Sequence, residues 1–387
     1  MNLTGDLKIL TEKLLSDILP GHSFPNKSSL KFFDSDSKAA VAKFLMTQYT
    51  SEYDIKLEVF QSIVFSFGVT AKRLREGLVI TTKNLYDIYG EFISDNVLVL
   101  SDGESSKSSK ELFLIYDFLL ENNVTKSTTV KIFGGGALTD LASFASSTFK
   151  RGIPYELYPT SLLSQIDASI GGKTAIDYKG VKNLIGTFSI PVCVYIDPFL
   201  LITLPREEYI NGLSEALKIS MLTGESLDLF EGLDDFKDIM FFKNLILSSV
   251  RSKLKIVSID PYDSNLRMSL NFGHTFGHVF ESVTGSSHGI SVLWGMEKEL
   301  YFFLQLGLID KYFFIVAKRY LSILENFTGK NLFDYKLSNT ALDFLISDKK
   351  SSGDFIKMPV LRDFGDFSIK NFSVKEIKDY FFREIIQ

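Results

Sequence analysis

TTVKIFGGGALTDLASFASSTF, residues 128–149, sets the architecture. Its first six residues are apolar and β-branched enough to read as a strand. They run straight into Gly134-Gly135-Gly136, and then into a segment of helical length and composition. Glycines at a strand-to-helix turn let backbone amides approach a pyrophosphate, and a helix N-terminus favours negative charge. The spacing is not G-x-G-x-x-G, so a tight turn that merely packs a helix on a sheet is an equally good account from these residues alone.

The flanks repeat the same alternation. GLVITT (77–82) is a buried-type strand followed by helix-like NLYDIYGEFI; NVLVL (96–100) is a strand followed by the helical KELFLIYDFLLENN; VCVYID (192–197) is a further strand. IKLEVF and SIVFSFGV, from residue 55, suggest a strand pair. Strands alternating with helices imply a parallel sheet with crossover connections. Past Pro205 the period becomes 3.6, in EEYINGLSEALKISML, FKNLILSSVRSKLKIVSI and HGISVLWGMEKELYFFLQLG. Ser373 and Glu376 have capping-box spacing and open a last helix through VKEIKDYFFREII. The expected architecture is an α/β, Rossmann-like domain over residues 54–204 and an all-helical one over 205–387. Residues 1–53 read as an extension without an assigned role, with an amphipathic helix over 7–19 (Leu7, Leu10, Leu14, Leu15).

Composition narrows the function. In 387 residues, 45% are hydrophobic and 23% charged, and the net charge is −5, which speaks against nucleic acid as a partner. No apolar run approaches the roughly 18 residues of a membrane helix. The N-terminus carries charges through its apolar positions, unlike a secretory signal, and the single cysteine, Cys193, excludes an internal disulfide and a thiolate metal cage. A reducing cytoplasm is the expectation.

Three of four histidines, His274, His278 and His288, fall within 15 residues. His274 and His278, at i and i+4, share one helix face, and His288 opens the next helix. A metal acting as a Lewis acid needs convergent ligands and a vacant position. Glu215 supplies a carboxylate in an apolar helix, where an unpaired charge would be costly. Spacing leaves His278 open as third ligand or proton-transfer group. Lys173, Lys182, Asn183, Lys218, Lys253, Arg151 and Arg267 add cationic and polar groups between the glycine turn and the histidines. Several cations around a metal require an anion among them, such as a phosphate or carboxylate substrate; individually, most lysines are better read as solvated surface. In DGESSK, Glu104 suits ribose hydroxyls or simply begins a solvated helix.

DGESSK, FGGGALTDLASFASSTFKRG, PTSLLSQIDASIGGKTAID, KNLIGTF, IDPFLLITLP, GLSEALK, LRMSLNFGHTFGHVFE, HGISVLWGM and DKKSSG, in this order, resemble the 3-dehydroquinate synthases of the sugar-phosphate cyclase family over about residues 55–387. The resemblance implies an NAD-binding α/β domain, a helical domain, an active site between them, and conversion of 3-deoxy-D-arabino-heptulosonate 7-phosphate to 3-dehydroquinate and phosphate in the shikimate pathway. It implies Glu215, His274 and His288 as ligands of zinc or cobalt, with His278 beside the chemistry. Lys173, Lys218 and Asn183 would join His278 in catalysis. Substrate contacts would fall on Arg151, Asp167, Lys182, Lys253, Arg267, Asn271, Lys349 and Lys350, with Arg151 reaching the substrate of a second copy, hence a homodimer. NAD contacts would fall on Glu104, Lys107, Gly134, Gly135, Gly136, Asp140, Thr160, Ser161 and Thr203, with Lys173 and Lys182. The chain departs from the family pattern at Thr82, at Thr139, and at HGISV, where HGEAV is common. Other readings are a cyclase of sedoheptulose 7-phosphate or glucose 6-phosphate, a metal-dependent NAD alcohol dehydrogenase, and a non-catalytic NAD-binding assembly protein. The cations Lys253, Arg267, Lys349 and Lys350 favour a carboxylated substrate.

Overall fold

The apolar runs pair into strands Ile55–Glu58 (β1), Ser62–Phe65 (β2), Leu78–Thr82 (β3), Val97–Leu100 (β4), Val130–Gly134 (β5), Tyr155–Pro159 (β6), Lys173–Tyr178 (β7), Val181–Phe188 (β8) and Cys193–Ile196 (β9). This is a computed structural model, which describes residues 61–231, 239–347 and 354–386 together with Ala39, Ala42, Lys43, Met46, Ile55–Glu58 and Leu233. The helix expected over residues 7–19 and the pair Lys349–Lys350 lie outside the described residues. The chain divides into two compact units, one running to Pro205 and the other holding most of the remaining residues. Among the described residues no helix is long and apolar enough to cross a membrane.

The first unit is built on a seven-stranded sheet of order β1-β2-β9-β6-β5-β3-β4, with six strands parallel and β1 antiparallel at one edge. Every residue of β3, β6 and β9 is buried, as a parallel sheet covered on both faces requires. Helices Ser109–Glu121 (α1) and Gly136–Thr148 (α2) are its long crossovers. From β3 the chain crosses to β4 on one side and then to β5 on the other, so the order reverses between β3 and β5. Ligands of open α/β sheets bind outside the carboxyl ends of the strands at such a reversal, and the three glycines stand at the carboxyl end of β5. The strands anticipated at 77–82, 96–100, 128–133 and 192–197 are present. β6 and the antiparallel β7–β8 hairpin are additions; Lys182 and Asn183, whose flanking glycines Gly180 and Gly186 suggest a loop, lie on a strand instead.

In the second unit, Arg206–Thr223 (α3) is buried without a break from Tyr209 to Leu222. With it go Ile239–Ile259 (α4) from Leu245 onward, His274–Thr284 (α5), His288–Gln305 (α6) and Lys311–Thr328 (α7). The abundant phenylalanines supply its core: Phe280 stacks on fully buried Trp294 at 4.6 Å, and Phe276 meets Phe381 edge-on at 4.9 Å. This unit is helical with one addition, an antiparallel hairpin of Phe355–Asp363 (β10) and Asp366–Ser373 (β11). The capping box is formed: Glu376 N–H donates to Ser373 Oγ at 3.2 Å, and Ser373 N–H donates to Glu376 Oε2 at 2.8 Å.

Candidate active site

Three buried helices carry the histidine cluster, and glycine is what lets them approach. A side chain at Gly277 would meet Ser291 O at 2.9 Å, one at Gly289 would meet Asn211 Cα at 2.3 Å, and one at Gly295 would meet Gly273 O at 2.0 Å. With only hydrogens there, α6 lies directly on α3 and α5. Polar clamps fix the contact. Asn211 Oδ1 accepts Gly289 N–H at 3.1 Å, holding the first turn of α6 on α3. Glu299, fully buried on α6, accepts Gly273 N–H at 2.8 Å and Phe276 N–H at 3.3 Å, capping the start of α5.

This frame places His274 and His288 at the starts of α5 and α6, facing Glu215 near the middle of α3. Glu215 Oε1 lies 3.7 Å from His274 Nε2 and 3.5 Å from His288 Nε2. One ligand atom from each of the three falls within 4.8 Å of the others. His278, one turn after His274, keeps its ring centroid 5.3 Å from His274 and 6.1 Å from His288. The outer nitrogens also have partners. His274 Nδ1 lies 3.2 Å from Phe272 O, and His288 Nδ1 lies 3.4 Å from Glu281 Oε2. Lys218 pairs with the other Glu215 oxygen, Oε2.

The electrostatics suit a cation. Burial would raise the Glu215 carboxyl, but Lys218 and the two imidazoles reverse this and hold it well below the usual carboxylate range. Burial, reinforced by Lys218, keeps His274 neutral, far below the ordinary histidine value. Burial acts to lower His288 too, yet Glu215 and Glu281 push it up to about 9. Fully buried Glu215 is held by Lys218 at Oε2 and turns Oε1 to the two imidazoles. Two imidazole Nε2 atoms and an ionised carboxylate oxygen, converging on one point, are the kind of donor set that holds a catalytic zinc or cobalt ion, three protein ligands leaving the fourth position of a tetrahedral ion for another group. The residues therefore fit the metal.

The other expected residues of this unit are Lys253 and Arg267, both buried, and Asn271, which is exposed. Arg267 and Asn271 lie on the helical turn Leu266–Asn271 that leads into α5. Arg267 Nη1 donates to Pro261 O at 2.7 Å.

In the α/β unit, Gly134 has a packing reason: a side chain there would strike Leu138 Cδ2 at 2.5 Å. Thr160 N–H donates to Gly134 O at 3.0 Å, which brings Thr160 and Ser161 beside the glycine turn. Asp140 and Lys173 line one small cleft with Thr139, Ser143 and Gly172. Asp167 sits on the turn Ser164–Ala168, and Thr203 shares a 2.8 Å hydrogen bond with Tyr89. Lys107 is only 3% exposed. Its ammonium pairs with Asp140 at 2.9 Å and Glu104 at 3.5 Å and donates to Asn183 Oδ1. Burial would lower this lysine, but the carboxylates hold it raised. It thus gathers three of the expected residues around itself.

Arg151 is exposed in a tight turn in which Lys150, Arg151 and Gly152 have φ of 49°, 64° and 106°. Two consecutive non-glycine residues with positive φ store strain of a kind that gathers at functional positions. Sequence reasoning passed over Asn211, Glu281 and Glu299. The one available signal was for Glu281, which continues the i, i+4 histidine pair at i+7.

Residues 97–211 match the family model for the N-terminal part of 3-dehydroquinate synthase, and residues 212–351 that for its C-terminal part. The chain is 42% identical over 243 residues to the bifunctional shikimate kinase/3-dehydroquinate synthase of Thermotoga maritima; the match spans 62% of this chain and 49%, about half, of that relative. It is 36% identical over 310 residues to the 3-dehydroquinate synthase of Dictyoglomus thermophilum, covering 77% of this chain and 86% of that one. In fold it is similar to the 2-epi-5-epi-valiolone synthase ValA of Streptomyces hygroscopicus subsp. jinggangensis 5008, a structure with NAD+ and Zn2+ bound, at a TM-score of 0.70 and 23% identity over 86% of this chain and 98% of that one. With both family models matched in succession across a parallel sheet and a helical unit, the chain belongs to the 3-dehydroquinate synthase family.

Proposed function

We propose that the chain converts 3-deoxy-D-arabino-heptulosonate 7-phosphate to 3-dehydroquinate and phosphate, a carbon–oxygen lyase reaction of the shikimate pathway, acting as a cytoplasmic homodimer. The observation that carries the proposal is the convergence of Glu215 Oε1 with Nε2 of His274 and His288, in a chain of this family. Glu215, His274 and His288 hold a divalent zinc or cobalt ion, and the turn Gly134–Gly136 with Glu104, Asp140, Thr160, Ser161 and Thr203 binds NAD. A bound ion supplies Lewis acidity toward a substrate hydroxyl, and bound NAD a hydride acceptor that is regenerated within the cycle.

The remaining work falls to the chain's own groups. His278, exposed one turn from His274, moves a proton as the phosphate leaves. Lys218, in the buried pair with Glu215, keeps that carboxylate ionised and orients it. Lys173, Lys182 and Asn183 contact the phosphate, with Asp167 beside them. Lys253, Arg267 and Asn271 serve the carboxylated end of the substrate, together with Lys349 and Lys350. Arg151, held out by its strained turn, serves a second copy of the chain. The exposed apolar side chains of the β7–β8 hairpin, among them Leu184, Phe188 and Val181, support an association between copies.

The test is phosphate release with product identification across seven-carbon and six-carbon sugar phosphates, with catalytic NAD and added zinc or cobalt. The heptulosonate phosphate should release phosphate without net NADH. Release only from sedoheptulose 7-phosphate or glucose 6-phosphate would make the protein a different cyclase, and accumulating NADH would make it a dehydrogenase.

A further inference from the structure

We propose that Glu281 is the positioning residue for His288: by accepting a hydrogen bond at Nδ1, it holds the ring so that Nε2 faces the ion. The inference rests on the assignment of Glu215, His274 and His288 as metal ligands. An imidazole has two nitrogens, and the hydrogen bond made by one decides which lone pair the other presents. His274 and His288 share one pattern here. Each turns Nε2 toward Glu215 Oε1, at 3.7 and 3.5 Å, and each has an oxygen beside Nδ1. For His274 that oxygen is Phe272 O at 3.2 Å, a backbone group whose place is set by the turn into α5. For His288 it is Glu281 Oε2 at 3.4 Å, so the partner comes from a side chain on the neighbouring helix.

The need is greater at His288. It occupies the first position of α6 after Ser287, and its side chain is 35% exposed, against 15% for His274. Packing alone therefore constrains this ring less. Glu281 is well placed to constrain it instead. It lies seven residues after His274 on α5, hence on the same face, and its side chain is only 15% exposed. The α5–α6 contact that brings the two histidines together thus also brings Glu281 to the far side of the His288 ring. His278 belongs to the same neighbourhood: one ligand atom from each of His278, Glu281 and His288 lies within 4.8 Å of the others.

The test uses the full chain, stripped of metal and titrated with Co2+ against a competing chelator, with the visible cobalt band as a second readout. The variants are E281A, E281M, which keeps the length of the side chain, and E281Q, whose amide oxygen still accepts from Nδ1–H. Removing the partner of a metal-bound histidine typically costs about 10–100-fold in metal affinity. E281A and E281M should lose that much and show a shifted or weakened band, while E281Q stays within a few-fold of wild type and the urea midpoints of the metal-free proteins coincide. E281M binding Co2+ as tightly as a wild-type chain that takes up one ion would overturn the positioning role and leave the ligand assignment standing. E281Q as weak as E281M would overturn it as well. A wild-type chain that takes up no Co2+ would overturn the ligand assignment, and this inference with it.

Discussion

Replacing Gly295 by alanine tests whether close helix approach is what assembles the ligands. The added methyl carbon would lie 2.0 Å from Gly273 O, 2.6 Å from Gly277 N and 2.9 Å from Gly277 Cα, where real contacts essentially never fall below 3.0 Å. All three are backbone atoms, so no side-chain rotation relieves the clash, and α5 and α6 must part by about 1 Å. Overpacking of this kind costs about 1–3 kcal/mol, and the rigid backbone on both sides argues for the upper end. At a urea dependence of about 3 kcal/mol per M, that lowers the unfolding midpoint by about 1 M. The effect on metal should be larger. Metal–nitrogen bonds of about 2.0–2.1 Å tolerate only about 0.2 Å of error, so parting the helices takes His274 or His288 out of reach. Cobalt affinity should fall by more than the about 10–100-fold lost when a ligand's hydrogen-bond partner is removed. Gly90→Ala is the matched control, because Gly90 has helical φ and ψ of −52° and −32° and its methyl would come no nearer than 3.6 Å to the Tyr86 ring, an ordinary contact. That variant should keep its midpoint or gain about 0.5 kcal/mol. A Gly295→Ala protein with the wild-type midpoint and wild-type cobalt affinity would show that close helix approach does not assemble the ligands.

Four further outcomes are expected. Glu215→Ala should remove bound metal and turnover together, as read by metal analysis and phosphate release; retained turnover contradicts the ligand assignment. Lys182→Ala should weaken apparent sugar-phosphate affinity by more than it weakens NAD binding, followed by fluorescence quenching, because this exposed cation on β8 is assigned chiefly to the phosphate; equal losses would count against that assignment. Burial lifts the Asp197 carboxyl from its ordinary 3.8 to about 6, against the pull of the Gly68, Thr70 and Phe199 N–H groups. The folded chain therefore holds a proton that the unfolded chain has released: this stabilisation is complete below the ordinary value and is lost as pH rises through about 6, and Asp197→Asn should flatten that part of the midpoint-against-pH curve. Removing residues 1–53 should leave the chemistry of the folded fraction intact but lower stability by about 2–5 kcal/mol, because it strips out Ala42 and Met46, 0% and 1% exposed; an unchanged midpoint would count against their packing role.

What could be read in advance was whatever lies in local pattern. The glycine turn comes after a strand whose residues are nearly all buried, so apolar run, glycine and helix appear in order. The β7–β8 hairpin escaped because Val181–Phe188 is exposed at almost every position, leaving no period-2 alternation to find. Glu215 was legible because a charge in the unbroken burial of α3 has to be explained. Asn211 and Glu299 were not legible, because each acts across a helix contact whose partner no sequence spacing names; Glu281 offered only its i+7 spacing from His274, which does not name His288 as its partner. The same holds for Gly277, Gly289 and Gly295. Inside a helix each glycine is worse than alanine by about 1 kcal/mol, and from sequence alone they count only as a weakness in α5 and α6. The structure reverses that judgement. An alanine at any of the three would meet backbone or Cα atoms at 2.9 Å or less, so propensity is given up for proximity. That proximity is used at one place, where His274 and His288 meet the carboxylates of Glu215 and Glu281. Helices selected for stability alone have no reason to set a fully buried carboxylate, Glu215, against two imidazoles; helices that hold a cation, as proposed, do.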